Sequence, residues 1–188
     1  AHGQFDVLLG GMVQVDGARV LAAQVEVSNV EQLREMTDWF RDRIASGVAV
    51  LGMVSDGKPV IIGPYTFLKL SKGYESNEFN TILEKFIPVY EQILTELEQS
   101  GAKWVQIDEP SFVTDLSKTD VTLIANVYER LHEAAPNLKI LLQTYFDAVD
   151  HYEDLIQLPV QGIGLDFVHG KEVNLHSLKS VPFPTDKY

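Results

Sequence analysis

From residue 78 onward the chain alternates short apolar runs with stretches of helical spacing, and that alternation restricts it to an α/β fold. Glu78 to Gln99 sets Phe86, Ile87, Tyr90, Ile93, Leu94 and Leu97 along one helical face, with Pro88 marking a kink or a first turn. Lys103 to Ile107 follows as a strand that stops at Asp108-Glu109-Pro110. A helix over Ser117 to Ala135 ends before Pro136, and a strand covers Leu138 to Thr144. Asp150 to Gln157 is a short helix closed by Pro159, Gly162 to Val168 a strand, and Val173 to Val181 a last helix. A helix between successive strands supplies the crossover that parallel pairing requires. The rhythm gives about four β/α steps, half of what a closed barrel needs.

The first third reads differently. Phe5 to Met12 is apolar and fits a strand or a short helix, and Ala18 to Val27 is a β-branched strand. Ser28 or Asn29 caps a helix with Glu31 in its first turn; Leu33, Met36, Thr37, Phe40 and Ile44 fall at helical spacing, and Gly47 stops it. Val48 to Val54 is a strand, Asp56-Gly57 a hairpin turn and Pro59 to Gly63 the returning strand. The whole predicts an α/β fold with a single, mostly parallel sheet of about six strands, helices on both faces and one antiparallel hairpin. The C-terminal part should resemble a half-barrel, not a closed TIM barrel. Residues 1–58 and 59–188 form two segments expected to pack as one domain, and open sheet edges leave room for a homo-oligomer.

Composition removes several functions. With no cysteine there is no disulfide, thiolate metal site or thiol nucleophile. A net charge of −12, from 27 acidic and 15 basic residues, opposes nucleic-acid binding. No apolar run reaches the length of a membrane helix, and no signal peptide is expected. Ala1-His2-Gly3 reads as a cloning remnant, and a cytoplasmic origin of a recombinant chain is expected.

Asp108-Glu109-Pro110, at the end of a strand, is the foremost chemical candidate. Carboxylates at the C-terminal ends of parallel strands can bind an amine or act as acid and base, or simply cap the strand end. Asp166 and His169 follow another strand and could share that face, although two ligands are too few for a metal. Asp147, Asp150, His151 and Asp154 surround a helix start and read as capping groups. Gly162-Ile163-Gly164 precedes a strand and lacks a third glycine, so it is not a dinucleotide loop. Lys69, Lys72 and Tyr74, in a loop after Pro64-Tyr65-Thr66-Phe67, could meet an anionic substrate, but a solvated loop is the simpler reading.

KPVIIGPYTFLKLSKG (Lys58 to Gly73), ILEKFIPVYEQILTELEQSGAKWVQIDEP, LLQTYFDAV and LPVQGIGLDFVHGK, in that order, resemble the N-terminal domain of cobalamin-independent methionine synthase from about Lys58 to Tyr188. The resemblance implies a relation to enzymes that pass a methyl group from a polyglutamylated folate to homocysteine. In that family two (β/α)8 barrels look like an ancient duplication, with zinc and homocysteine in the C-terminal one and a mainly structural N-terminal one. Only the middle of that N-terminal barrel is expected here, without the family's early basic segment. By the same resemblance, Asp108 matches a homocysteine-contacting Asp of the active barrel. Thr144-Tyr145-Phe146 stands where that barrel has its zinc His-x-Cys, and Asp166 falls near its zinc Glu. The expectation is no metal, no cofactor and no catalytic residue, with Asp108, Glu109, Asp166 and His169 as a vestigial substrate-binding set and small-molecule binding doubtful. Without zinc the homocysteine thiol has no efficient route to the thiolate that methyl transfer needs.

VDGARVLAAQVEVSNVEQLREMTDWFRDRIASGVAVLGMVSDGK (Val15 to Lys58) resembles the C-terminal domain of alanyl-tRNA synthetase, most specifically at LREMTDWFRDRIASGVAVLG. That resemblance implies a dimerisation or tRNA-contact role and no aminoacylation or editing chemistry. The two resemblances meet near Asp56-Gly57-Lys58-Pro59. The expectation is therefore an artificial chimera with no intact activity. The alternatives are a methyltransferase fragment retaining weak substrate binding, and an interaction module.

Overall fold

The computed structural model describes residues 7–15, 18–27, 30–43, 48–55 and 58–188. The chain divides into two compact units, Ala1–Ile61 and Ile62–Tyr188.

In the first unit, residues 7–10 are helical, which decides between the two readings of the apolar opening; Phe5 lies outside the described residues. Strand β1 (Val13–Val15) pairs antiparallel with β2 (Ala18–Gln24), Val13 opposite Val20. Helix α1 (Val30–Arg43) carries the chain over to β3 (Val48–Ser55), which runs parallel to β2 from Val20↔Val48 to Gln24↔Gly52. A helix is the connection a parallel pair demands. β3 then turns back antiparallel into β4 (Lys58–Ile62), with Ser55 opposite Lys58. The expected antiparallel pair is present; its turn residues Asp56 and Gly57, and the expected cap and stop at Ser28, Asn29 and Gly47, lie outside the described residues. Met36 and Phe40, four apart on α1, face Leu21 and Val25 from β2 and its end, Leu51 of β3 and Val60 of β4 in one apolar core. Leu8, Leu9, Met12 and Trp39 cover its margin, Trp39 meeting Phe40 edge to face at 5.1 Å.

The second unit begins with α2 (Pro64–Leu70), whose proline occupies the first turn, where a missing N–H costs nothing. The sequence pattern places Lys69 in a loop; it sits instead in the last turn of α2, its ammonium 5.9 Å from the centre of the Tyr65 ring. A 3₁₀ turn (Ser76–Glu78) leads into α3 (Phe79–Gln99), which continues through Pro88. Then come β5 (Trp104–Asp108), a 3₁₀ turn (Pro110–Val113), α4 (Lys118–Ala134), β6 (Lys139–Gln143), α5 (Tyr152–Leu155), β7 (Gly162–Gly164) and α6 (Lys171–Ser180). β5, β6 and β7 are parallel and in that order, Trp104 opposite Lys139 and Leu141 opposite Gly162. β7 is shorter than expected, because Asp166 gathers the chain after Gly164 into a turn. Among the described residues neither set of strands closes into a barrel, and the α/β class with mostly parallel pairing is as the sequence predicts.

Alternation along β5 buries Val105 and Ile107 completely, and Leu83, Ile87, Tyr90 and Leu94 of α3 and Ile124, Tyr128 and Leu131 of α4, two helices that pack on each other, are fully or almost fully buried as well. Truncating Ile107 to alanine is expected to lower the unfolding free energy by about 2–5 kcal/mol. A urea denaturation midpoint within error of the parent protein's would show that this core does not hold the unit together.

Candidate functional site

The site stands where three parallel strands end. Asp108 is the last residue of β5 and only 4% exposed. Gln106 Nε2 donates to its Oδ1 at 2.8 Å and the Tyr145 hydroxyl to its Oδ2 at 3.2 Å. Gln106 is two residues earlier on the same strand, so its side chain emerges on the same face. Both carboxylate oxygens are thus held in place.

Glu109 points elsewhere and is fully buried. Its Oε1 accepts the Thr66 N–H at 2.6 Å, and its Oε2 accepts the Tyr128 hydroxyl at 3.2 Å. Burial pushes its carboxyl up to about 7, against the opposing pull of the Thr66, Tyr128 and Tyr65 hydrogen bonds. Gly63 is glycine for this reason: a Cβ there would overlap Oε2 and approach Oε1 to 3.0 Å. Thr66 and Ser111 interlock beside it, with Thr66 Oγ1 donating to Ser111 Oγ at 2.8 Å. Of the four residues expected to meet substrate, Asp108 and Glu109 are both buried, Glu109 completely. Glu109 caps the start of α2 instead, a role that neither reading of the tripeptide foresaw.

Asp166 lies past β7 and receives N–H groups from Phe146 at 2.8 Å, Val168 at 2.6 Å and His169 at 3.0 Å. His169 Nδ1 adds a contact at 2.8 Å, while the His169 side chain is 62% exposed. The His169 amide and ring, then the Val168 and Phe146 amides, hold the Asp166 carboxyl well below the usual carboxylate range, although its partial burial works the other way. Phe146 takes φ 85°, a left-handed conformation uncommon for a side-chain-bearing residue, and in that conformation its N–H donates a hydrogen bond to Asp166. The segment Thr144-Tyr145-Phe146 therefore joins the two acids, Tyr145 reaching Asp108 and Phe146 reaching Asp166. Asp108, Asp166 and His169 come to one rim. Gln106, Tyr145 and Phe146, which arrange them, were not singled out from the sequence for that work; a glutamine two positions before a strand-end aspartate is a signal that could have pointed to the first.

The remaining candidates are structural. His151 Nε2 lies 2.9 Å from the Leu116 carbonyl and its Nδ1 3.5 Å from Asp154, while Asp147 accepts the Ala148 N–H, all at the start of α5. Tyr74 donates to the Leu68 carbonyl at 2.7 Å. Among the described residues no group of three or more His, Asp and Glu is placed to share a metal ion, and no helix is long and apolar enough to cross a membrane. The strand-end donors do not fit zinc. Thr144 is buried with its hydroxyl on the Gly164 carbonyl, Phe146 offers only its amide, and Asp166 is already engaged by the amides around it.

Parallel strands flanked by helices, with polar groups gathered at their carboxyl ends, define an α/β domain of the kind that presents ligands at that edge. Sequence comparison narrows the class: a family model described as the N-terminal domain of cobalamin-independent synthase matches residues 26–188, and the chain belongs to that family. The 5-methyltetrahydropteroyltriglutamate–homocysteine methyltransferase of Bacillus subtilis (strain 168) is 56% identical over 130 residues, 69% of this chain and 17% of the relative. Its namesake in Listeria welshimeri is 52% identical over 133 residues, 71% of this chain and 17% of the relative, and that of Bacillus cereus (strain G9842) 53% over 133, 70% and 17%. The chain spans 17% of the length of these relatives.

These matches overturn the chimera. The family match begins at residue 26 and spans Lys58 and Pro59, so most of the stretch assigned to a synthetase falls within the same family as the residues C-terminal to it. The run LREMTDWFRDRIASGVAVLG misled because its pattern is shared widely: an amphipathic helix, here α1, followed by an apolar strand, here β3, is how any parallel β-α-β crossover reads.

Proposed function

We propose that the chain is part of a methyltransferase of the kind its relatives are named for, and that it holds the amino-acid substrate weakly by its ammonium group while carrying no methyl-transfer chemistry of its own. The observation that carries this reading is the Asp108 carboxylate, fixed at the end of β5 by Gln106 and Tyr145. An ammonium is the natural complement of an oriented carboxylate, and the net charge of −12 disfavours a polyglutamate tail in its place. A thiol becomes a competent methyl acceptor as a metal-bound thiolate. The donors here do not fit that metal, so this domain's part is to bind and orient. The bacterial relatives make a cytoplasmic setting part of the proposal.

Isothermal titration with homocysteine is expected to give saturable, one-to-one binding of about millimolar affinity. Asp108→Asn keeps the shape and removes the charge, and should weaken binding about tenfold or more. No saturable heat with the parent protein, or equal affinity in Asp108→Asn, would remove the reading.

A further inference from the structure

Glu109 has no part in that proposal, yet it is more deeply buried than Asp108 beside it and ties the end of β5 to two helices. Thr66 donates to it from α2, Tyr128 from α4, and Gly63 leaves room for it before α2. The titratable groups packed about it are Tyr65 on α2, Tyr90 on α3, Tyr128 on α4 and Asp108 on β5. The three phenols are held neutral, first by their own burial; for Tyr65 the bond to Asp120 comes next, and for Tyr90 and Tyr128 the negative charge of Glu109. Among the described residues its hydrogen-bond partners include no lysine, arginine or histidine. A carboxyl so placed has two arrangements available that differ by one proton, and its neighbours can serve both.

We propose that Glu109 and Tyr128 form a proton-operated latch joining β5, α2 and α4. With the carboxylate ionised, the Thr66 amide and the Tyr128 hydroxyl both donate to it, as the geometry shows. When Glu109 takes a proton from solvent onto Oε2, that O–H donates to the Tyr128 oxygen. The bond between the two side chains reverses direction, the Tyr128 proton turns away, and the Thr66 bond loses its charge-assisted strength. The switch sits directly behind the rim, because the Gly63 N–H that precedes α2 donates to the Asp108 carbonyl at 2.7 Å. The latch stands on this local geometry whether or not an amine binds at Asp108. Burial, which brings the Glu109 carboxyl to about 7, sets the range in which it operates.

The test is a titration of the whole chain from pH 5.5 to 8.5 followed by NMR, reading the Thr66 amide proton and the carboxyl carbon of Glu109. The Thr66 amide is expected to move downfield as pH rises, with the same midpoint as the carboxyl carbon. Glu109→Gln should abolish the movement, and Tyr128→Phe should raise the midpoint by removing a donor that favours the ionised form. If either variant fails to fold, the parent titration still decides. A carboxyl carbon already ionised at pH 5.5, or a Thr66 amide that does not move across the range, overturns the latch.

Discussion

Replacing Gly170 with alanine is expected to lower the unfolding free energy by about 3 kcal/mol, at the upper end of what overpacking costs. Gly170 precedes α6, and its carbonyl accepts the Asn174 N–H at 3.0 Å. A Cβ there would overlap the backbone nitrogen of Ala148 and lie 2.6 Å from both the Ala148 Cα and the Asp147 carbonyl carbon. Those atoms are main chain, and they belong to the loop whose neighbouring residue Phe146 is bound to Asp166. No rotamer change can relieve the contact, so the loop or the helix must shift. Gly164→Ala is the proper comparison. Its Cβ would overlap Gln143 Oε1, but that is the tip of a side chain that can swing aside, at the cost of the Gln143 bond to the Thr144 carbonyl, about 1 kcal/mol. Urea denaturation of both variants tests the ordering, and a smaller loss at Gly170 than at Gly164 would show the loop to be far more compliant than its packing suggests.

Raising the pH from 5.5 to 8 is expected to make the protein less stable. The folded-state carboxyl of Glu109 titrates at about 7, whereas in the unfolded chain it returns to its ordinary value of 4.5. Between those values the folded state holds a proton that the unfolded state has released, so unfolding becomes easier as pH rises and levels off above 7. The displacement corresponds to about 3 kcal/mol in all, of which about 2 kcal/mol falls between pH 5.5 and 8. The acids whose folded-state values are depressed, Asp166 and Asp120, act in the opposite sense and only at lower pH, where they take up protons. For Asp120, burial works to raise the value, but the Ser117 hydroxyl and amide and the Tyr65 hydroxyl outweigh it. Glu109→Gln should remove most of the slope, because the amide can offer its oxygen to Thr66 and its nitrogen to Tyr128 without ionising. Denaturation midpoints that are flat or rising across this range, or a slope unchanged in Glu109→Gln, would contradict the assignment.

The periodic elements were legible because each is written in local pattern. Ser117 announces α4, and its side chain does cap that helix in a reciprocal pair with Asp120. The apolar spacing from Phe86 to Leu97 likewise anticipates the buried face of α3, where Ile87, Tyr90 and Leu94 point inward. Helix α2 was missed because seven residues, Pro64 to Leu70, carry too little period to register, and because its cap arrives from Glu109, far along the chain. The same distance hid the site. Asp108 and Asp166 could be picked out as strand-end acids, but nothing local says that Glu109 turns inward while Asp108 stays at the edge, or that Tyr145 and Phe146 divide their attention between the two aspartates. The family was legible from Lys58 onward through its separated motifs. Its extension back to residue 26 was not, since a helix and a strand of ordinary composition are compatible with many parents.

Counting acids overstates the attraction this edge exerts on cations. Asp166 has its lone pairs committed to the amides that hold the polypeptide in its turn, so its oxygens are already occupied by architecture. Asp108 is engaged too, by the side chains of Gln106 and Tyr145 instead of by main-chain amides, and it is only 4% exposed. A divalent ion, which needs several anionic oxygens at once, gains little from such an arrangement, whereas a primary amine needs only one oriented acceptor. If the proposed amine binding holds, that difference in demand is what would favour an amine over a divalent ion at this edge.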